Sequence, residues 1–253
     1  MPVPAIQKAE ANLIEIFSSI QGEGMLIGCR QIFIRFADCN LNCDYCDTDF
    51  AARESCRIED PPGSGQIRSI PNPVAFKEVF ELVRNWTEQA PGTYHSLSLT
   101  GGEPLLQTDA LQQWLPELRK LLPVYLETNG TLPRQLALLL PHLDWVSMDI
   151  KLNSLTGLIT DWDAHRRFLQ LAGKTGCYVK MVVGENTPDL ELQFGAELVA
   201  DISAEIPLIL QPVTIDGGIT LSTGRLLAMQ QLVAATHANV RIIPQTHKFM
   251  GFL

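Results

Sequence analysis

The chain has 253 residues and a mass of 28.0 kDa, enough for one large domain or two small ones. It is 46% hydrophobic and 19% charged, a globular balance that excludes a disordered chain. The formal net charge is −9 and no apolar run approaches the roughly 18 residues of a membrane span, so neither nucleic acid nor a membrane is an expected partner.

The opening Met-Pro-Val-Pro-Ala-Ile-Gln-Lys lacks the charged-then-apolar pattern of a secretory leader. A cytoplasmic setting is therefore expected, in which the six cysteines (Cys29, Cys39, Cys43, Cys46, Cys56 and Cys177) stay reduced. Residues 13–17 and 32–36 are rich in β-branched and aromatic side chains and read as strands. Residues 51–72 carry Pro61, Pro62, Gly63, Gly65 and Pro71 and read as a surface loop. Asn72-Pro73 reads as a helix start, followed by Phe76, Val79, Phe80, Val83 and Trp86 at helical spacing.

Strands at 95–100, 124–128, 144–151, 177–183, 207–211 and 239–244 then alternate with helices at 108–121, 133–140, 161–172, 189–202 and 222–236. Such alternation predicts parallel β/α units. About six units after the cysteine segment are too few to close an eight-fold barrel. The expected fold is α/β, a partial, open β/α barrel forming one domain over 1–253. Ligands of such folds sit at the carboxyl ends of the strands. The motifs at Gly101, Glu127 and Ser147 should therefore share one face.

Cys39-Asn-Leu-Asn-Cys43-Asp-Tyr-Cys46 has C-x3-C-x2-C spacing. Structural zinc takes four protein ligands, usually as two separated C-x-x-C pairs, and no second pair exists here. A [4Fe-4S] cubane takes one thiolate per iron, so three cysteines leave one iron open. A zinc knuckle recruiting Cys29, Cys56 or a histidine, and a redox C-x-x-C at 43–46, are the alternatives on spacing alone. Cys177 begins an apolar strand and reads as a core residue.

The triplet, with Tyr45 before its last cysteine, resembles the radical S-adenosylmethionine superfamily. Gly101-Gly102-Glu103-Pro104 resembles the site that holds the amino group of S-adenosylmethionine there. Ser147, Lys151 and Gln211 resemble further contacts to that cofactor. The alternatives are a plain Gly-Gly turn, an Asp149–Lys151 ion pair and an ordinary strand-end Gln. Further motifs narrow the resemblance: Gln21-Gly22-Glu23-Gly24, Asp47-Thr48, Glu127-Thr128-Asn129-Gly130 and Gln245-Thr246-His247-Lys248. Together, from about residue 12 onward, these resemble the 7-carboxy-7-deazaguanine synthase family.

The resemblance implies an enzyme that converts 6-carboxy-5,6,7,8-tetrahydropterin to 7-carboxy-7-deazaguanine with loss of ammonia, on the way to queuosine precursors. It implies a [4Fe-4S] cluster on Cys39, Cys43 and Cys46, S-adenosylmethionine, and Mg2+ on the Thr48 hydroxyl. It assigns Gln21, Glu23, Gly24, Arg35, Thr100, His247 and the terminal carboxylate of Leu253 to the substrate, and Glu127 to substrate binding or proton return. Residues 37–50 become a cluster loop, 51–72 a variable loop without a family motif, and 245–253 a tail that closes over substrate. The implied partners are a flavodoxin or ferredoxin as electron donor and a second copy in a homodimer. A glycyl-radical activating enzyme would share the cysteines and Gly-Gly-Glu but not the outer motifs. A non-catalytic zinc module would need only the triplet.

Overall fold

Alternation within each central strand decides the architecture. In the segment Ser-Leu-Ser-Leu-Thr at 96–100, every second residue is apolar, and the same rhythm runs through 124–128, 145–150 and 177–183. Successive side chains of a strand point to opposite faces. One face of the sheet is therefore apolar and the other carries polar groups.

The computed structural model describes residues 9–44, 46, 49–215 and 217–251. The main strands, in chain order, are β1 (Leu13–Ile20), β2 (Arg30–Phe36), β3 (Ser55–Glu59), β4 (Ile67–Pro71), β5 (Ser96–Gly101), β6 (Val124–Thr128), β7 (Trp145–Ile150), β8 (Gly176–Val183), β9 (Leu208–Pro212) and β10 (Val240–Ile242). They form one ten-stranded sheet in the order β10-β9-β8-β7-β6-β5-β2-β1-β3-β4. The run from β10 to β2 is parallel throughout. β1 returns antiparallel to β2, and β3 and β4 extend the edge. The sheet is open, in agreement with the partial barrel expected from sequence.

The crossovers are helical: α1 (Phe76–Gln89), α2 (Thr108–Leu118), α3 (Pro133–Leu139), α4 (Trp162–Ala172), α5 (Asp189–Ala200) and α6 (Thr223–Ala234), with a short α7 (Thr246–Met250) after β10. α1 buries Phe76, Val79, Leu82, Val83 and Trp86. These side chains join Leu97, Leu99, Leu126, Val146, Met148, Val179 and Met181 of the strands in one large core. Each fully buried aliphatic side chain there contributes about 1.5–3 kcal/mol.

Two sequence expectations need correction. Residues 51–72 are not simply a loop: β3 and β4 pair there in an antiparallel hairpin. Their prolines and glycines are concentrated at 61–65, the hairpin turn, and Cys56 and Ile58 of β3 are buried. Helix α1 starts at Phe76 rather than at Asn72-Pro73. Asn72 instead accepts from the Leu13 amide through Oδ1 (3.1 Å) and donates from Nδ2 to the Leu13 carbonyl (2.7 Å), pinning the chain to β1.

Candidate active site

The polar face of the sheet is assembled by register. Arg35 of β2 lies opposite Thr100 of β5, Glu127 of β6 opposite Ser147 of β7, and Asp149 of β7 opposite Lys180 of β8. All six line a cavity of about 500 Å³ at the carboxyl ends of the parallel strands. Cys39, Cys43, Cys46, Gln21, Glu23, Gly101, Gly102, Lys151, Gln211 and His247 line the same cavity. Thus nearly every residue selected from the sequence converges on one space. Thr48 and Leu253 lie outside the described residues.

The cysteine loop is stitched to the strand ends by backbone. Gly102 N–H donates to the Phe36 carbonyl (3.1 Å) and Glu103 N–H to the Asp38 carbonyl (2.8 Å). A Cβ on Gly101 would strike the Phe36 backbone, and one on Gly102 the Asp38 carbonyl. The two glycines therefore admit the neighbouring chain. Gly101 also has φ +127°, which side-chain-bearing residues rarely adopt.

Glu103 does not face the cavity. Its carboxylate is fully buried and accepts from the Thr128 hydroxyl (2.9 Å), Asn129 N–H (2.8 Å) and Leu105 N–H (3.1 Å). Asn129 in turn donates to Asn40 Oδ1 (2.9 Å) and its Nδ2 lies 3.9 Å from Cys39 Sγ. Gly-Gly-Glu and Glu-Thr-Asn-Gly are thus two halves of one brace beneath the cysteine loop. Burial pushes the Glu103 carboxyl up to about 7, against the accepted hydrogen bonds.

On the turn between β1 and β2, Gln21 donates to Gln31 Oε1 (3.0 Å) and Glu127 Oε1 (2.8 Å) and accepts from Glu23 N–H (2.9 Å). Glu127 accepts a second bond from the Thr100 hydroxyl at 2.6 Å. Gly24, with φ +61°, sits against Tyr178, whose hydroxyl a Cβ would strike. Gly24 therefore lies beneath the cavity wall. Tyr178 and Tyr125 are buried and share a hydrogen bond of 2.5 Å between their hydroxyls. Arg35 donates from Nε to Glu15 Oε1 (2.8 Å), and Glu15 Oε2 accepts from Arg57 (2.7 Å).

Lys180 is the residue that sequence reasoning missed. It pairs with Glu23 and stands 3.8 Å from Asp149, which also pairs with Lys151 at 2.8 Å. Its signal was available: a lone lysine at an inward position of an apolar strand, Tyr-Val-Lys-Met-Val. The Asp149–Lys151 ion pair, the alternative for that motif, is present.

The site fits the groups that the sequence implied. Three thiols of one loop offer a soft donor set at the cavity. Among the described residues, no three His, Cys, Asp or Glu side chains converge on a single ion. A cubane takes its thiolates on separate irons, farther apart than the ligands of one ion. Asp149 Oδ1 and Gln211 Oε1 are buried acceptors without a partner, and both residues line the cavity. Such atoms call for a ligand that brings donors, as the ammonium, ribose hydroxyls and adenine amine of S-adenosylmethionine do.

Fold and site together define an enzyme of the radical S-adenosylmethionine class, and the sequence profile of the Radical SAM superfamily matches residues 33–154. That class carries a [4Fe-4S] cluster and S-adenosylmethionine. A 7-carboxy-7-deazaguanine synthase of Geobacter sulfurreducens is 50% identical, covering 98% of this chain and 100% of its own. One of Methanothermobacter thermautotrophicus is 34% identical, covering 95% and 97%. The chain belongs to the 7-carboxy-7-deazaguanine synthase family. In fold it is similar to the crystal structure of QueE from Escherichia coli, with a TM-score of 0.59 at 22% identity over 94% of this chain and 95% of that one.

Proposed function

We propose that this enzyme contracts 6-carboxy-5,6,7,8-tetrahydropterin to 7-carboxy-7-deazaguanine and releases ammonia. The observation that carries the reading is the convergence of the three cysteines, the Gln21–Glu23 turn, Arg35, Glu127 and His247 on one cavity. When bound, the reduced cluster and S-adenosylmethionine supply the carbon radical that abstracts hydrogen from the substrate.

The chain's own residues bind and orient. Arg35, held by Glu15, directs its guanidinium toward the substrate carboxylate. Glu23 accepts from the donor edge of the 2-amino-4-oxo ring, beside the Gln21 amide. Glu127 is fixed from both oxygens by Gln21 and Thr100 and directs its remaining lone pairs at the ring, where Oε1 or Oε2 returns a proton. Cys39, Cys43 and Cys46 hold the cluster; Ser147, Lys151 and Gln211 hold S-adenosylmethionine with the backbone of Gly101 and Gly102. Glu103 serves that site from beneath.

The finer assignments rest on the family resemblance. The Thr48 hydroxyl would hold Mg2+, a cation that takes oxygen ligands and keeps its waters, and the ion would supply positive charge for the anionic substrate. Residues 245–253, ending at Leu253, close over the substrate. A flavodoxin or ferredoxin reduces the cluster, and the enzyme works in the cytoplasm as a homodimer of single-domain chains.

Anaerobic reaction of the iron-reconstituted protein with the pterin, S-adenosylmethionine and a reductant tests the reading. Formation of the deazaguanine product with one equivalent of ammonia supports it. Cleavage of S-adenosylmethionine without pterin turnover points to a glycyl-radical activating enzyme. A colourless protein holding only zinc would remove the radical chemistry.

A further inference from the structure

Lys180 joins three parts of the site that are far apart in sequence. Its ammonium pairs with Glu23 on the β1–β2 turn and faces Asp149 on β7, while Glu23 Oε1 accepts from Gln245 Nε2 (2.8 Å) of the C-terminal segment. The side chain of Lys180 is 11% exposed and lines the cavity, so the pair is shielded from water yet borders the ligand space. Lone charges are not stable in such places; each needs its partner. A carboxylate has about four lone-pair sites. Lys180 and Gln245 occupy one on each oxygen of Glu23, which leaves two for a ligand.

We propose that Lys180 is a positioning residue for the pterin: it keeps Glu23 ionised and aimed, so that the free lone pairs of Glu23 accept from the amino and ring N–H donors of the substrate. This rests on the functional reading above and extends it to a residue that none of the site motifs contains. Burial alone would raise the Glu23 carboxyl, and the Lys180 ammonium, with smaller help from Gln245 and His247, holds it well below the ordinary carboxylate range. The other charged groups facing the pair are Asp149, itself bound to Lys151, and Glu127. Both are anionic and reinforce the ammonium form of Lys180. Removing the lysine leaves Glu23 buried among Asp149 and Glu127, where it takes up a proton as the pH falls and can no longer accept two donors.

The test compares wild type, Lys180→Met, Lys180→Arg, Glu23→Gln and the double variant Glu23→Gln with Lys180→Met, all iron-reconstituted. Equilibrium binding of the pterin and of S-adenosylmethionine is measured separately across a pH series. Lys180→Met is expected to weaken pterin binding by at least about tenfold, with the loss deepening toward acid pH, while iron content and S-adenosylmethionine binding hold. Lys180→Arg recovers most of the affinity and the flat pH profile. In the double variant the losses are not additive and the acid limb disappears. Equal weakening of both ligands, or additive losses, overturns the proposal; if Lys180→Met fails to fold, a loss of about tenfold in Lys180→Arg or an acid limb in the double variant overturns it equally. Wild-type protein that binds no pterin overturns the functional reading itself. Tight wild-type binding with an unaffected Lys180→Met overturns only the role of Lys180.

Discussion

Thr246 donates its backbone N–H to the carbonyl of Gly22 at 2.8 Å, across 224 residues of chain. Its hydroxyl reaches the same oxygen at 3.1 Å. The last helix is thereby fastened to the turn between β1 and β2. Gly22 is glycine because His247 occupies the space of its Cβ. Gly22→Ala should therefore displace His247 and raise the pterin KM by about tenfold. Steady-state kinetics with iron analysis checks this. Unchanged KM, or loss of iron, would show that the contact does not serve the substrate.

The cysteines separate by environment. Cys39, Cys43 and Cys46 border the cavity and Cys56 and Cys177 do not; burial raises the thiols of Cys39 and Cys43 as well as those of Cys56 and Cys177, the last two up to about 12, so position and not thiol acidity makes the division. Cys43→Ala should lose the cluster and its visible absorption after anaerobic reconstitution. Cys177→Ala should keep wild-type iron and sulfide. Full iron in Cys43→Ala would refute the assignment.

Glu103 gives a pH signature. Its folded carboxyl titrates at about 7, raised chiefly by burial from an ordinary value of 4.5. Between those values the folded state holds a proton that the unfolded chain releases. The stabilisation is complete below the ordinary value and is lost as the pH rises toward 7. The slope can reach about 1.4 kcal/mol per pH unit. Thermal melts of reconstituted wild type should therefore weaken relative to Glu103→Gln between about pH 5 and about pH 7. Parallel curves for the two proteins would refute the shift.

Arg35 is oriented by geometry as well as charge. Its Nε is committed to Glu15, which also holds Arg57. Lysine has no fork with which to bind Glu15 and a substrate carboxylate together. Arg35→Lys should raise the pterin KM by about tenfold or more while leaving S-adenosylmethionine cleavage intact in the absence of pterin. Binding of a pterin lacking the 6-carboxyl should be insensitive to the substitution. Equal effects on both pterins would place the carboxylate elsewhere.

Much of the site was legible because it lies in short segments whose spacing is itself chemical. Three cysteines within eight residues, Gly-Gly-Glu after a strand, and Gln-Gly-Glu-Gly before the cluster can each be read without neighbours. The hairpin at 55–71 was less legible. Its turn residues masked the buried Cys56 and Ile58, and an edge strand is defined by the strand it pairs with. Glu103 was legible as a motif residue but not in its direction. Only the packing of β5 against β6 shows its carboxylate turned toward Thr128 and Asn129.

The alternating strands, the two faces they present and the set of motifs at the strand ends can all be read from the chain alone, because side-chain period and motif spacing are local properties. Tertiary structure decided which motifs touch. Strand order and register brought Lys180 opposite Asp149 and beneath Glu23, sent Glu103 away from the cavity, and set His247 over Gly22. Those contacts depend on pairing between distant segments, and no local pattern encodes the partner of a buried charge.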